Sequence, residues 1–546
     1  MDGRARAIGG AAVVCIALLV VFGPSAFLPE PLAYGRPTRD LFDHIALLDQ
    51  WATRVDEWAF PTGGVLLPPD PFGMAWAAPA LAAGASRALA WNLSLVLHMA
   101  AAAAAGAWLG RRAGHALVGA LAFGLSPYLL GQLASGEAET LAVFPLALSL
   151  ACLDRGGRVG QVGAGLCAAL AALGAWYHGA FAGALLLLYG LRENLRPLPW
   201  RARAAAFLPA GVAVAAIALP AAVYAGILAD PAQMFRGPAM ADYLAHHPRA
   251  LAALSSDPSR WFGAPGGGLG HTDHLGGVIV LLAIVGWRGP GGVAHGLARW
   301  LVPLGLVFAL GPVLHLGGGS TGIPLPGRIL AELPLVGLMR LPHRWHLVVA
   351  LGLAVLAARG AARLPRLAPL LLLGEALLFF RPDPSGVDLR PPVAHAGVDG
   401  PVLDLPPRTL GGDDARGRAL VWQRAHRQPV PYSLLMQGWS PALGAEPLLV
   451  AVAALDRRDP IADRQAEAAQ FRQVDFARAV DRARRGGLPL EDLRGAADRL
   501  RALGLRHVVL HRGAFDPADR APVEAMLRNA LGPPTIVGAE AWRWTL

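Results

Sequence analysis

The sequence predicts an α-helical polytopic membrane protein of about eleven transmembrane helices, followed by a small C-terminal α/β domain outside the membrane. Three observations predict it. First, 54% of the 546 residues are hydrophobic and only 16% are charged, against roughly 25% charged in ordinary soluble domains. Second, apolar stretches approaching the ~20 residues that cross a bilayer recur through the first two thirds of the chain. Third, arginines gather in the short segments between alternate pairs of those stretches, where loop charge sets membrane orientation.

The first span is Ala7 to Leu28, behind Arg4 and Arg6. Gly23-Pro-Ser-Ala26 offers small residues for signal-peptide cleavage, but the charge pattern needs this helix retained. The other spans are Ala88 to Leu109, Ala113 to Gly131, Thr140 to Leu153, Val159 to Trp176, Gly179 to Leu191, Ala204 to Leu228, Leu275 to Trp287, Trp300 to Leu316, Trp345 to Ala358 and Leu367 to Phe380. With a cytoplasmic N-terminus, the inner loops hold 15 Arg against 3 acids. The outer loops up to Arg381 hold 11 Arg and 14 acids. The positive-inside rule selects that orientation, and an odd number of spans leaves the C-terminus outside. The membrane domain, 1–381, then has long outer loops at 29–87, 229–274 and 317–344, so chemistry is expected on the outer face. Pro71 to Ser86 is apolar, short and Pro-rich, and reads as an interfacial helix or a re-entrant segment.

The domain 382–546 carries 22 Arg and 20 acids and no span. Pro401 to Leu405, His507 to Leu510 and Thr535 to Val537 read as strands. Gln465 to Arg485, Asp492 to Leu503 and Pro517 to Ala530 read as helices.

The composition also excludes chemistry. All 48 basic side chains are arginine, so there is no lysine for a Schiff base, a Walker A loop or a general base. The arginines are dispersed between apolar segments, which argues against nucleic acid as a partner. Cys15, Cys152 and Cys167 lie in or beside apolar segments with neither disulfide nor metal-ligand spacing.

Several polar residues stand out at the expected outer face. Asp40 and Asp43, with His44 beside them, are three apart and would share a helix face. They suit a general base or a divalent-metal ligand, or a solvated first helical turn. Glu137 and Glu139 occupy a very short loop between spans, where carboxylates are expensive. They read as acceptor or metal ligands, or as helix caps. His178, in Trp176-Tyr-His-Gly179, reads as a substrate contact or an interfacial anchor. Arg340 and Arg344 frame Leu-Pro-His just before a span and suit a lipid phosphate, or snorkelling to the headgroups. His271 and His274 are a weak candidate metal pair. Glu375 is an acid inside the last span.

The order of these features resembles the GT-C superfamily of polytopic glycosyltransferases, in its bacterial branch of YfhO-like and RgtA/B/C/D-like proteins. The likeness rests on Asp40-Leu-Phe-Asp-His-Ile-Ala-Leu-Leu-Asp-Gln-Trp51, on Phe60-Pro-Thr-Gly63 and Asp70-Pro-Phe72, and on Asn92-Leu-Ser94. It continues through Ser126-Pro-Tyr-Leu-Leu-Gly-Gln-Leu-Ala-Ser-Gly136, Phe144-Pro-Leu146, Arg340-Leu-Pro-His-Arg344 and Ala357-Ala358. Where family members often carry Gly-His after the third span, this chain has Gly136-Glu137. The resemblance implies a bacterial inner-membrane protein and a sugar donor on a polyprenyl phosphate. It also implies a glycan, lipid or protein acceptor outside, and Asp40 or Asp43 as base or ligand of a divalent cation. Two other readings remain: a non-catalytic GT-C-fold protein assisting envelope polysaccharide or lipid assembly, and a transporter. A two-repeat architecture and spans rich in acids, which would favour the transporter, are absent.

Overall fold

The architecture is that of a computed structural model, and the described residues are 12–14, 32–33, 45, 75–197, 199–228, 255–262, 273–289, 291–332, 341–379, 387–407, 415–431, 441–458, 474–487 and 490–546. They fall into two compact units, one holding 75–225 and 255–379, the other 387–546.

The first unit is helical. Its main helices are α1 (Arg87–Ala113), α2 (Ala116–Gly124), α3 (Pro127–Ser135), α4 (Phe144–Arg155), α5 (Gly157–Gly174), α6 (Trp176–Asn194), α7 (Leu208–Leu228), α8 (Gly277–Trp287) and α9 (Val293–Ala309). A hairpin follows, β1 (Val313–Leu316) and β2 (Gly319–Pro324), and then α10 (His346–Gly360) and α11 (Leu367–Phe379). Local chemistry punctuates them. Ser86 caps α1 by accepting from Leu89 N at 3.3 Å, and Ser126 caps α3 by accepting from Leu129 N at 3.4 Å with Pro127 in the first turn. Gly136, at φ 75°, closes α3 in the left-handed conformation that glycine adopts without strain.

Among the described residues, four helical stretches are long and apolar enough to cross a membrane: Arg87–Ala113, Ala116–Ser135, Trp200–Ala218 and Pro342–Arg363. Gly277–Trp287, Val293–Ala309 and Leu367–Leu378 are apolar but shorter. The first expected span lies outside the described residues apart from 12–14. Two of the four are almost wholly wrapped by protein, with 89% of the apolar window buried in both Ala116–Ser135 and Pro342–Arg363, whereas Trp200–Ala218 has only 11% buried. An apolar helix left uncovered by protein needs lipid against it. Exposed Leu281, Ile284, Leu370 and Leu378 on α8 and α11 follow the same logic.

Tight helix pairs rest on glycine. Gly106 and Gly110 of α1, spaced as in a small-xxx-small motif, meet Gly119 of α2, where a Cβ would collide with the Gly106 carbonyl. Gly286 of α8 and Gly360 of α10 leave no room for a Cβ either.

One expected span changes character. Trp300 to Leu316 is not a single helix: α9 starts earlier, at Val293, and ends at Ala309, and Val313–Leu316 pairs antiparallel with β2. The apolar Val-Leu-His-Leu run is ambiguous between helix and strand by hydropathy alone. Gly311, Gly317 and Gly318, all at positive φ, end the helix and turn the hairpin.

Among the described residues, both acids of the expected inner loops, Asp154 and Glu193, are paired. Asp154 takes Arg112 Nε at 2.5 Å and accepts from Ala294 N at 2.9 Å, and Glu193 takes Arg192 at 2.5 Å and Arg196 at 2.9 Å. Glu375 in α11 accepts from Val278 N at 3.0 Å, capping the first turn of α8.

The second unit contains β3 (Val402–Leu405), α12 (Ala415–His426), α13 (Pro447–Leu455), α14 (Val474–Gly486), α15 (Ala496–Ala502), β4 (His507–His511), α16 (Pro517–Leu531), β5 (Ile536–Val537) and β6 (Ala541–Thr545). The sheet order is β3-β4-β6-β5, with β3 parallel to β4 and the other pairs antiparallel. Strand alternation sends Leu403, Leu405, Val508, Leu510, Trp542 and Trp544 into one hydrophobic core with the helices. The opposite face carries Asp404, His507, Val509, His511 and Arg543.

Candidate functional site

A 3-10 turn, Pro342–Trp345, precedes α10 and is buried throughout. The leucine-proline pair sets it: the residue before proline is steered to extended backbone, and proline starts the turn without a lost donor. The turn directs Arg344 inward. Its Nη2 donates to Glu137 Oε2 at 2.6 Å, with side chains only 10% and 5% exposed. Its guanidinium also lies over the Tyr177 ring, 4.3 Å from the centroid, at the start of α6. Trp345 sits between Phe181 at 4.8 Å and Phe308 at 4.9 Å, which locks the turn to α6 and α9.

The sequence-predicted residues are therefore partly united. Glu137 and Arg344, 207 residues apart, form one buried ion pair. The snorkelling reading of Arg344 does not describe it, because its guanidinium faces protein rather than solvent. His178 follows Tyr177 and is buried, so it is not an interfacial anchor. Glu139 lies in the short helix Ala138–Leu141. Asp40, Asp43, His44, Arg340 and His271 lie outside the described residues.

A second group docks on the same turn. His346 Nε2 lies 2.8 Å from Ser256 Oγ, which also accepts from Trp261 Nε1 at 2.9 Å. Next to Ser256, Asp257 accepts from Ser259 N at 2.9 Å, Ser259 Oγ at 2.7 Å and Gly318 N at 2.7 Å. Burial opposes charge on Asp257, but these hydrogen bonds win and hold its carboxyl below the usual carboxylate range. Burial pushes the Asp273 carboxyl upward. Two neighbouring acids are thus driven apart, one toward the charged form and one toward the neutral form, a pattern that suits acid–base roles. Sequence reasoning did not single out Asp257 or Asp273. The Asp257-Pro-Ser259 capping signature was the available signal.

No family model matches the sequence, and no curated protein matches it. Solved structures do. The archaeal oligosaccharyltransferase AglB from Archaeoglobus fulgidus aligns over 96% of this chain and 71% of its own, at 9% identity and TM-score 0.45. The arabinofuranosyltransferase AftD from Mycobacteria aligns over 100% of this chain, at 14% identity and TM-score 0.54. A mutant form of AftD gives 16% identity and 0.56. The chain has the GT-C fold. It spans about two fifths of AftD, covering 40% and 41% of the two AftD chains.

The GT-C fold and the uncovered apolar helices make this a membrane protein. Within this GT-C chain, both polar groups meet where the turn Pro342–Trp345 enters α10: Arg344 holds Glu137 and Tyr177, and His346, the first residue of α10, bonds Ser256, which precedes Asp257. Among the described residues, the one set of three converging metal-ligating side chains belongs to the other unit, at His395, Asp404 and His511.

Proposed function

We propose that this protein is a bacterial inner-membrane glycosyltransferase that moves a sugar from a polyprenyl-phosphate donor to a hydroxyl of a glycan, lipid or protein acceptor outside the membrane. The observation that carries this reading is a fold shared with AftD along the whole chain. The reaction is an inverting transfer. A carboxylate, Asp40 or Asp43, with or without a divalent cation, takes the acceptor proton as the acceptor oxygen attacks the anomeric carbon. The bond from that carbon to the phosphate breaks, and polyprenyl phosphate leaves with the electron pair. Fixed positive charge from Arg340 and Arg344 stabilises the departing phosphate. Glu137 and Tyr177 hold Arg344 in one orientation, so little reorganisation is needed when the phosphate arrives. His44, Glu139 and His178 are the remaining candidate substrate contacts.

The test uses full-length protein in lipid nanodiscs with radiolabelled polyprenyl-phosphate pentose and hexose donors, and an envelope extract as acceptor. Labelled glycan and stoichiometric release of polyprenyl phosphate are expected. Saturable donor binding with no transfer to any acceptor would favour the non-catalytic reading.

The orientation follows from the 15 Arg against 3 acids in the inner loops. An alkaline phosphatase fused after Leu546 is expected to be active, and a cytoplasm-restricted reporter there silent. The reverse pattern would move both polar groups to the cytoplasmic side and end the donor assignment.

A further inference from the structure

The second face of the C-terminal sheet is closed by unusual chemistry. Parallel pairing of Asp404 with Val509 and of Leu405 with Leu510 puts Asp404 and His511 on this face, on neighbouring strands. The turn Val393–His395 lies across them, held by Arg543 Nη1, which donates to Ala394 O at 3.3 Å and Ala396 O at 2.6 Å. The result is convergence on one oxygen. His395 Nε2 lies 2.8 Å from Asp404 Oδ1, and His511 Nε2 lies 2.6 Å from the same atom. The two imidazoles are nearly parallel, 5.4 Å apart, with Trp422 4.4 Å from His511. His395 and Asp404 side chains are 1% and 4% exposed, and His511 is 12% exposed, so the cluster is dry with access on the His511 side.

We propose that His395, Asp404 and His511 form a binding site for a transition-metal dication, best matched by Zn²⁺, which pins the turn before β3 to the sheet. Two imidazole nitrogens and one carboxylate oxygen select zinc and its neighbours over magnesium or calcium, which prefer all-oxygen shells. Three protein ligands leave a fourth position open, as zinc tolerates. The three ligand atoms lie within 4.8 Å of one another. Zinc bonds of ~2.0–2.2 Å place tetrahedral ligands about 3.3 Å apart, so on binding the nitrogen–oxygen edges open from 2.8 and 2.6 Å, while the nitrogen–nitrogen edge, within 4.8 Å, closes by as much as about 1.5 Å. The two imidazoles must rotate to supply that change. His426 stacks on His395 at 5.2 Å. This inference is independent of the glycosyltransferase reading.

The test uses the full-length chain carrying a histidine-free tag, stripped by chelator and dialysed into metal-free buffer. Titration with Zn²⁺ followed by elemental analysis is expected to give about one tightly held zinc per chain. Co²⁺ in its place is expected to give visible absorption bands of a tetrahedral site. Asp404→Asn and His511→Gln should each weaken zinc binding by at least ~10- to 100-fold. His507→Gln, on the same sheet face but bonded to Asp399 at 2.8 Å, should bind zinc as the parent does. A parent protein that holds no stoichiometric zinc overturns the proposal, whatever the variants do. Folded variants that bind zinc like the parent overturn it equally, and assign the cluster to hydrogen bonding.

Discussion

Asp40→Asn is expected to slow sugar transfer by about 10²- to 10⁴-fold while leaving donor binding and folding near those of the parent. Asparagine keeps the size and hydrogen-bonding capacity of the side chain but cannot accept the acceptor's proton. The loss corresponds to roughly 3–5 kcal/mol of barrier. Asp40 opens the acidic segment that resembles the catalytic loop of GT-C enzymes, and it follows the first expected span closely enough to work at the headgroup level. Asp43, three residues on, could serve the same point, and the two together could share a cation or shift each other by like charge. Single-turnover transfer by purified Asp40→Asn and Asp43→Asn separates them. A dead Asp43→Asn beside an active Asp40→Asn transfers the role to Asp43. Parent-like turnover in both removes the first outer loop from the chemistry.

The second large effect concerns the buried pair of Arg344 and Glu137. Arg344→Gln alone is expected to destabilise the protein by about 3–5 kcal/mol, because it leaves the Glu137 carboxylate buried without the guanidinium charge beside it. A drop in donor binding in that variant would therefore be uninformative by itself. The double variant Arg344→Gln, Glu137→Gln removes both charges, and most of the stability is expected to return, since a neutral replacement of a buried pair costs little. Donor affinity then decides the role. If Arg344 contacts the phosphate, the double variant melts like the parent in detergent but still binds donor at least about tenfold more weakly, the loss of one charge-assisted hydrogen bond. Parent-like donor binding in the stable double variant would make the pair a brace for the turn and nothing more.

Much of the membrane unit was legible because its signals are local. Apolar runs at Ala88 to Leu109, Trp345 to Ala358 and Leu367 to Phe380 each coincide with a helix, at Arg87–Ala113, His346–Gly360 and Leu367–Phe379. The span expected over Ala113 to Gly131 is instead two helices, because Ser126 and Pro127 start α3 afresh after Gly124. Hydropathy misled at Val313–Leu316, where a short apolar run carries no periodic signature and glycines at both ends admit a hairpin. It also passed over β6, whose Ala-Trp-Arg-Trp-Thr alternates but becomes a strand through pairing with β4.

What the sequence by itself determined is the helical membrane character, the arginine asymmetry that sets the orientation to be tested, and a feature order matching the GT-C fold. The first two follow from transfer energies and charges summed along contiguous residues, and the third is a resemblance carried by short motifs. Only the tertiary structure decided the partners of the polar side chains. Arg344 meets Glu137 across 207 positions, Glu375 caps α8 across 97, and His511 meets Asp404 across 107. The energy of a buried charge depends on what is packed against it, and that neighbour is supplied by another element whose position no local pattern encodes.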